Sequence, residues 1–573
     1  MVTSRVSYYG GIPTLFVNDE PVPGTAYITY FEERNRYSDF AQAGFNLFTF
    51  ATYCGDKTIS EVSHIAPFSN GIFAMPGVED YSEFDRSMAD ILAACPNAMV
   101  FPRVNVSMPD WWEAAHPEEC NDHGSENFPE VRRMCFASQA WREQAAEFLR
   151  KLIAHVQSMP WCDNIIGYQI AAGNTEEWFS FDMAGSIGPA LRKSFQAQGG
   201  TEEDVAGYRR YVSTMVAESI AYLAGVVKAA TSRRLVVSCF YGYTFETPSW
   251  QSGHMAMKRL LNCGDIDFFC SPLTYCGLRA PGQDWFTMNV LESIKLHGKT
   301  YFAELDVRTC LTLNINESRP GMAVPGRYDH PIWKCPQPPE VCRWILRTCI
   351  ARQVTYGYNS WWFDMWGGWY ATPELMQEMA DLRKFVAEAM EHPHRESIAE
   401  VAIFVDEDNY VNFDAPWSEL PREICNHSRI VFGNAGAPHD LYELSDFERV
   451  FQRYRAVILL APSMTPAMEK VVRRCRQFGI IFKLFGENIP KVTTEMVLEF
   501  YQQAGVHLWM DSGDIVYANA DYIAVHAATA GAKTVRLPQA GKVTGMLPAG
   551  EQYQGTEFTT EMRQFETKIF RRE

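Results

Sequence analysis

Residues 139–172, QAWREQAAEFLRKLIAHVQSMPWCDNIIGYQIAA, place a helix-sized segment directly before a strand-sized one. Ala140, Ala145, Phe148, Leu152 and Val156 recur at three-to-four spacing through 139–157, the period of a helix with one apolar face. The run IIGYQIAA (165–172) is short and apolar and reads as a strand. The same alternation extends in both directions. Upstream lie AYITYF (26–31), FNLFTF (45–50) and AMVFPRVNV (98–106). Downstream lie RLVVSCFYGY (234–243), IDFFCSPLTY (266–275), KTYFAELDV (299–307) and YNSWWFDMW (358–366), each followed by a loop and a helical pattern. Strands alternating with helices pair in parallel through right-handed crossovers. Eight such units between residues 25 and 390 fit a closed (β/α)8 barrel, the TIM barrel, with loop insertions. The competing arrangement, a doubly wound open sheet, has fewer strands and a glycine-rich first turn that this chain lacks.

At 573 residues the chain exceeds what one hydrophobic core covers. His392-Pro393-His394 reads as a linker, after which the pattern restarts with VAIFVDEDNY (401–410), AVILLAPSM (456–464) and GIIFKLFG (479–486). That implies a smaller α/β, Rossmann-like domain. From Asp511 onward the character changes again, and YIAVHAATAGAKTVRLP (522–538) alternates like a hairpin around Ala530-Gly531. The expected domains are therefore 1–392, a barrel; 398–510, α/β; and 511–573, a small β domain.

The formal net charge of -18 disfavours phosphate backbones and anionic lipid as partners. No run of five Lys/Arg and no apolar stretch near 18 residues stands out, and the first residues lack a signal-peptide pattern. The expectation is a cytoplasmic protein with neither nucleic-acid nor membrane partners. The 15 cysteines form no CxxC and are odd in number, as expected of free thiols. Cys335, Cys342 and Cys349 recur every seven residues, a spacing that would set them on one side of a helix. Aromatics reach 13%, enough to fill a large barrel core and to leave some as platforms for apolar ligand faces.

In a barrel of this kind the chemistry sits where strands end. Those positions hold Arg103, Asn105, Asn174, Glu176, Glu177, Tyr241, Tyr275, Glu304, Asp306, Arg308, Trp361, Trp362 and Asp364. Carboxylates fall on the fourth and seventh strands. Glycosidic cleavage needs that division: one carboxyl protonates the departing oxygen while the other attacks the anomeric carbon. Glu304, closing an apolar strand, is a nucleophile or the partner of a base such as Arg308. Asn174 or Thr175 can cap a helix whose first turn would carry Glu176 and Glu177, so that pair is either a helix start or an acid/base.

Three segments carry a family resemblance. Pro109-Asp110-Trp111-Trp112 with His116-Pro117-Glu118, Cys135-Phe136-Ala137-Ser138 with Trp141-Arg142-Glu143, and Ile166-Gly167-Tyr168-Gln169-Ile170 are similar to segments of the bacterial β-galactosidases that carry a trimerisation domain after a (β/α)8 barrel, glycoside hydrolase family 42. The resemblance implies a cofactor-free, retaining exo-β-glycosidase, a small carbohydrate substrate, and a homotrimer built through 398–510. It implies Glu304 as nucleophile and Glu176 or Glu177 as acid/base. The family's Asn-Glu pair is replaced by Asn174-Thr175-Glu176-Glu177-Trp178. Matching the aromatic that follows the catalytic residue, here Trp178, selects Glu177. Matching a small polar residue before it selects Glu176. Arg103 and Tyr275 are implied to hydrogen-bond the nucleophile, and Trp361 or Trp362 to lie under the sugar. The departures point to a divergent sister family and leave β-mannoside beside β-galactoside as substrate. They also leave open a barrel that binds sugar without cleaving it. A metal-dependent hydrolase lacks support, because no His-x-His pair ends a strand and the four-cysteine zinc site of some relatives has no counterpart.

Overall fold

The computed structural model describes residues 1–55, 65–122, 132–180, 189–326, 328–335, 337–413 and 418–573. Eight parallel strands close into a barrel. In order they are Thr25–Ile28; Leu47–Phe48 with Ala51–Tyr53; Met99–Val100 with Arg103–Asn105; Gly167–Ala171; Val236–Phe240; Phe268–Pro272; Thr300–Leu305; and Asn359–Phe363. Pairing runs from the first strand around to the eighth. The eighth returns to the first with Ser360 opposite Thr25 and Phe363 opposite Ile28, which closes the ring. The second and third strands are each broken midway, the third at Pro102, which has no N–H to donate. Phe101, Phe240, Phe268, Phe302 and Trp361 fill the interior, so the barrel is packed rather than open.

The helix Gln139–Ser158 turns Trp141, Ala145, Phe148, Leu149, Leu152 and Val156 inward. Ser138 caps it by accepting from the Trp141 N–H at 3.0 Å. The helix Val205–Ala230 holds an 18-residue window long and apolar enough to cross a membrane, which the reading of the sequence overlooked; 67% of that window is buried. An amino-terminal hairpin, Ser4–Tyr9 with Ile12–Val17, meets the start of the fourth and fifth strands, where Ser4 Oγ donates to the Ile166 carbonyl and accepts from the Val236 N–H.

Beyond the barrel, Val401–Val405 pairs in parallel with His439–Glu443 on one side and Ala456–Ala461 on the other, and Phe482–Gly486 extends the sheet. A five-stranded antiparallel sheet follows, from Ile515–Ala518 to Thr567–Arg572. The hairpin expected around Ala530-Gly531 is not formed. Tyr522–His526 pairs with Thr567–Arg572, and that last strand separates it from Gly531–Leu547, which hairpins instead with Ala549–Met562. Alternation identifies a strand but carries no information about its partner. The 392–394 stretch is irregular chain between the helix Pro373–Met390 and the strand Val401–Val405, with the His392 ring 5.4 Å from that of Tyr522 and the Arg395 N–H donating to the Gly10 carbonyl at 2.9 Å. None of the 15 cysteines is paired in a disulfide, and one further expectation changes: Cys335 precedes the helix Pro339–Tyr356 that carries Cys342 and Cys349, because the helix starts with proline at its first position.

Candidate active site

Glu304 is the penultimate residue of the seventh strand and lies opposite Trp361 of the eighth. Its Oε2 accepts from Arg103 Nη2 at 2.8 Å and from Trp361 Nε1 at 3.3 Å. Arg103 comes from the third strand and is 1% exposed. Its remaining nitrogens are also engaged: Nε donates to Gln169 Oε1 at 3.0 Å, and Nη1 to the Tyr30 hydroxyl at 3.2 Å and Glu176 Oε2 at 3.3 Å. The guanidinium carbon lies 4.7 Å from the Phe240 ring centroid. One cation thus serves two carboxylates in a buried layer, the arrangement in which charged hydrogen bonds count most.

No helix begins at 174. The chain turns back on itself after the fourth strand, with the Trp178 N–H bonded to the Ala172 carbonyl at 2.8 Å. Gly173 (φ 77°), Thr175 (55°), Glu176 (69°) and Trp178 (64°) are all left-handed, a conformation that costs energy at each non-glycine residue. The consequence is that two adjacent glutamates diverge. Glu176 turns inward, fully buried, and accepts from Tyr30 at 2.9 Å and from Arg103. Glu177 turns into the cavity, where its Oε2 accepts from Thr175 Oγ1 at 2.6 Å and its Oε1 from the Tyr243 hydroxyl at 2.8 Å.

The cavity encloses about 530 Å3 at the carboxyl end of the barrel, and Glu177 and Glu304 both line it. Burial pushes the Glu177 carboxyl up to about 7 and the Glu304 carboxyl up to about 8, and each interacts with charges of Arg103 and Asp306. The upward push is common to both, and the Arg103 charge opposes it at both, with a direct hydrogen bond at Glu304 alone. Arg103 and Trp361 can only donate, so Oε2 of Glu304 is an acceptor and a proton on this carboxyl would sit on Oε1. The hydroxyls of Thr175 and Tyr243 can donate or accept, so Glu177 keeps both partners in either state.

Of the residues singled out in the sequence, Arg103, Asn174, Glu177, Tyr275 and Glu304 line this cavity. Asn174 is 5% exposed and its Oδ1 has no protein partner. Others stand behind it. Asn105 Oδ1 accepts the Ser107 N–H at 2.9 Å, Trp178 Nε1 donates to the Ile170 carbonyl at 3.1 Å, and the Tyr241 hydroxyl donates to the Gly253 carbonyl at 2.8 Å. Asp306 is held by Arg308 and Arg279, each at 2.6 Å, so the base implied as a partner for Glu304 belongs to Asp306. Tyr275 does not bond the nucleophile position; it donates to Asp306 Oδ2 at 2.7 Å. Nor does either eighth-strand tryptophan face the cavity. Trp361 lies beneath Glu304, and Trp362 points the other way, its ring 5.8 Å from Tyr370. Asp364 accepts the Gly368 and Trp369 N–H groups at 2.8 Å and shapes the loop. That loop delivers Trp366 to the cavity, and Trp333 joins it from the segment after the seventh strand.

Several lining groups escaped the sequence reading: Tyr30, Tyr243, Glu246, Trp366, and Arg422, Asn426 and His427. The last three come from a π-helical turn, Arg422–His427, between the first two strands of the α/β sheet. Asn426 Nδ2 donates to the Phe245 carbonyl at 2.8 Å and to Glu246 Oε2 at 3.1 Å, which anchors the turn over the barrel mouth. A signal was present in Tyr243, which ends the fifth predicted strand. The π-helical turn offered none. Among the described residues, no group of three or more His, Cys, Asp or Glu is arranged to hold a metal ion.

The same architecture recurs in solved structures. The β-galactosidase of the psychrophilic Marinomonas ef1 superposes with a TM-score of 0.61 at 12% identity, over 96% of this chain and 100% of that one. The β-galactosidase of Bacillus circulans sp. alkalophilus gives 0.60 at 13%, over 96% and 98%. This chain has the fold of the family 42 β-galactosidases. A family 42 exo-carrageenase from Bacteroides ovatus gives 0.60 at 10%, over 100% and 84%. No family model matches the sequence, and no curated protein does.

Proposed function

We propose that the protein is a retaining exo-β-glycosidase acting on a small β-linked saccharide or glycoconjugate, with Glu304 as nucleophile and Glu177 as acid/base. The observation that carries the reading is that these two carboxylates, from the fourth and seventh strands, line one cavity while Glu176 is turned away from it. Protonated Glu177 gives its proton to the glycosidic oxygen as the bond to the anomeric carbon breaks. Glu304 attacks that carbon and forms a glycosyl-enzyme ester. Arg103 and Trp361 occupy Oε2, which leaves Oε1 to form the bond. Glu177, now ionised, then takes a proton from water, the hydroxide oxygen bonds to the anomeric carbon, and Glu304 departs as carboxylate. Asn174 Oδ1 is placed to accept a sugar hydroxyl, and Trp366 and Trp333 offer flat faces to sugar C–H groups.

Kinship of fold with β-galactosidases makes β-galactosides the first substrates to try and β-mannosides the second. A panel of chromogenic β-glycosides, with the product anomer read by proton NMR, tests the reading. Turnover with initial β-product supports it. No turnover on any β-glycoside, or an initial α-product, counts against it. A homotrimer built through the α/β region belongs to the same proposal, and sedimentation equilibrium showing only monomer would remove it.

A further inference from the structure

We propose that His254 is a positioning residue for the acid/base: a single imidazole that fixes the main chain of Glu177 and the main chain of Tyr243 relative to each other. The inference rests on the assignment of Glu177 given above and goes beyond it, because His254 lies outside the cavity lining.

His254 follows the fifth strand and is fully buried. Its Nδ1 accepts the Gly242 N–H at 3.1 Å and lies 3.4 Å from the Tyr243 nitrogen, which also donates to it. A nitrogen accepting backbone N–H groups cannot carry a proton, so the hydrogen sits on Nε2. That Nε2 donates to the backbone carbonyl of Glu177 at 2.9 Å. The ring stacks on Tyr241 at 4.9 Å with an interplanar angle of 11° and packs against Tyr243 at 4.5 Å and Phe179 at 4.7 Å. Burial pushes the imidazole down to about 3, which keeps it neutral at any working pH. Gly253 provides the left-handed turn (φ 83°) immediately before it, and a Cβ there would come within 2.9 Å of Ser180 and Val216.

The arrangement explains how a strained segment keeps its shape. Thr175, Glu176 and Trp178 are left-handed, so the chain on both sides of Glu177 gains energy by relaxing. Relaxation would swing the Glu177 carbonyl, and the Nε2–H bond opposes that. The same ring holds the backbone of Tyr243, whose hydroxyl donates to the Glu177 carboxyl. Donor and acceptor of that bond are therefore both referred to one rigid, uncharged body. Histidine suits the task because it supplies an acceptor on one edge, a donor on the other and a flat face for Tyr241.

His254→Phe keeps the flat ring and removes both bonds; His254→Asn keeps one donor and one acceptor. For a substrate with a poor leaving group, His254→Phe should lower kcat about 100-fold, and for an activated aryl β-glycoside less than about 5-fold, since the latter needs little protonation. The alkaline limb of its pH profile should move up, because a loosened Tyr243 hydroxyl no longer favours ionised Glu177. His254→Asn should recover at least about 10-fold of the loss. Equal losses on both substrates in folded protein, or no loss, overturn the proposal. A readout that needs no activity is 15N NMR of labelled histidine, with His254 assigned by difference against either variant. The Nε2–H tautomer should persist from pH 5 to 9, and titration within that window overturns the assignment even if the wild type cleaves no β-glycoside. Wild-type inactivity with an untitrating Nε2–H tautomer would sink the glycosidase reading and leave the clamp standing.

Discussion

Arg103 and Glu304 meet at 2.8 Å across the barrel, joining the third strand to the seventh, and the same guanidinium reaches Glu176 at 3.3 Å. Both carboxylates depend on this cation. Arg103→Met would leave two ionisable groups buried without it, which costs about 3–5 kcal/mol of stability. A denaturant midpoint no lower than wild type would contradict the charge assignment. Arg103→Lys retains the charge but replaces a fork with a point, and cannot serve Gln169, Tyr30, Glu176 and Glu304 together. It should fold, with kcat reduced about 100-fold.

Removing each carboxylate separates the roles. Glu304→Ala should lose about 10⁵-fold or more on every substrate. Azide should restore turnover and give an inverted glycosyl azide. Glu177→Ala should spare the first step with an activated aryl leaving group, and azide should then give a product of retained configuration. Glu176→Ala should show neither rescue pattern, since that side chain does not reach the cavity. If Glu176→Ala rather than Glu177→Ala yields the retained azide, the two assignments exchange.

The pH profile follows from burial. Both carboxyls lie above the ordinary range, so the two limbs belong to the pair and sit at higher pH than in a solvated site. The alkaline limb should fall near pH 7 to 8. Tyr243 donates to Glu177 and favours its ionised form, so Tyr243→Phe should move that limb upward. A downward move would mean that the hydroxyl bonds the protonated acid instead.

Stability should follow the same group with a definite sign. The folded Glu177 carboxyl titrates near 7 against an ordinary value of 4.5, so folding binds a proton between these pH values. The penalty for ionising it in the fold is absent below about pH 4.5, grows through 7 and is complete above that. Glu177→Gln should therefore raise the melting temperature at pH 9, by the equivalent of up to about 3 kcal/mol, and lose the advantage at pH 5. A gain that is constant with pH would assign the effect to packing.

The barrel was legible because its strands are buried on both sides and read as apolar runs, and because Glu304 and Arg103 interrupt such runs at their ends. Asp306 was legible as a second carboxylate at the end of the seventh strand, but its position could not show that Arg279 and Tyr275 would be drawn to it rather than to Glu304. Trp361 and Trp362 were indistinguishable in sequence; register opposite Glu304 separates them. The left-handed conformation at 175, 176 and 178 was hidden, since Thr, Glu and Trp carry no preference for it, and the choice between Glu176 and Glu177 depends on it. His254 and Asn426 were out of reach for a different reason. Each acts through a contact with a main-chain or side-chain group that sequence spacing does not bring near.

The turn Arg422–His427 reaches the cavity from a sheet other than the barrel, while Glu177, Glu304 and Arg103 belong to the barrel alone. The floor of the pocket and part of its outer wall are therefore built by different segments of the chain. A change in the turn would therefore alter the shape of the entrance while leaving the barrel residues at the pocket floor in place.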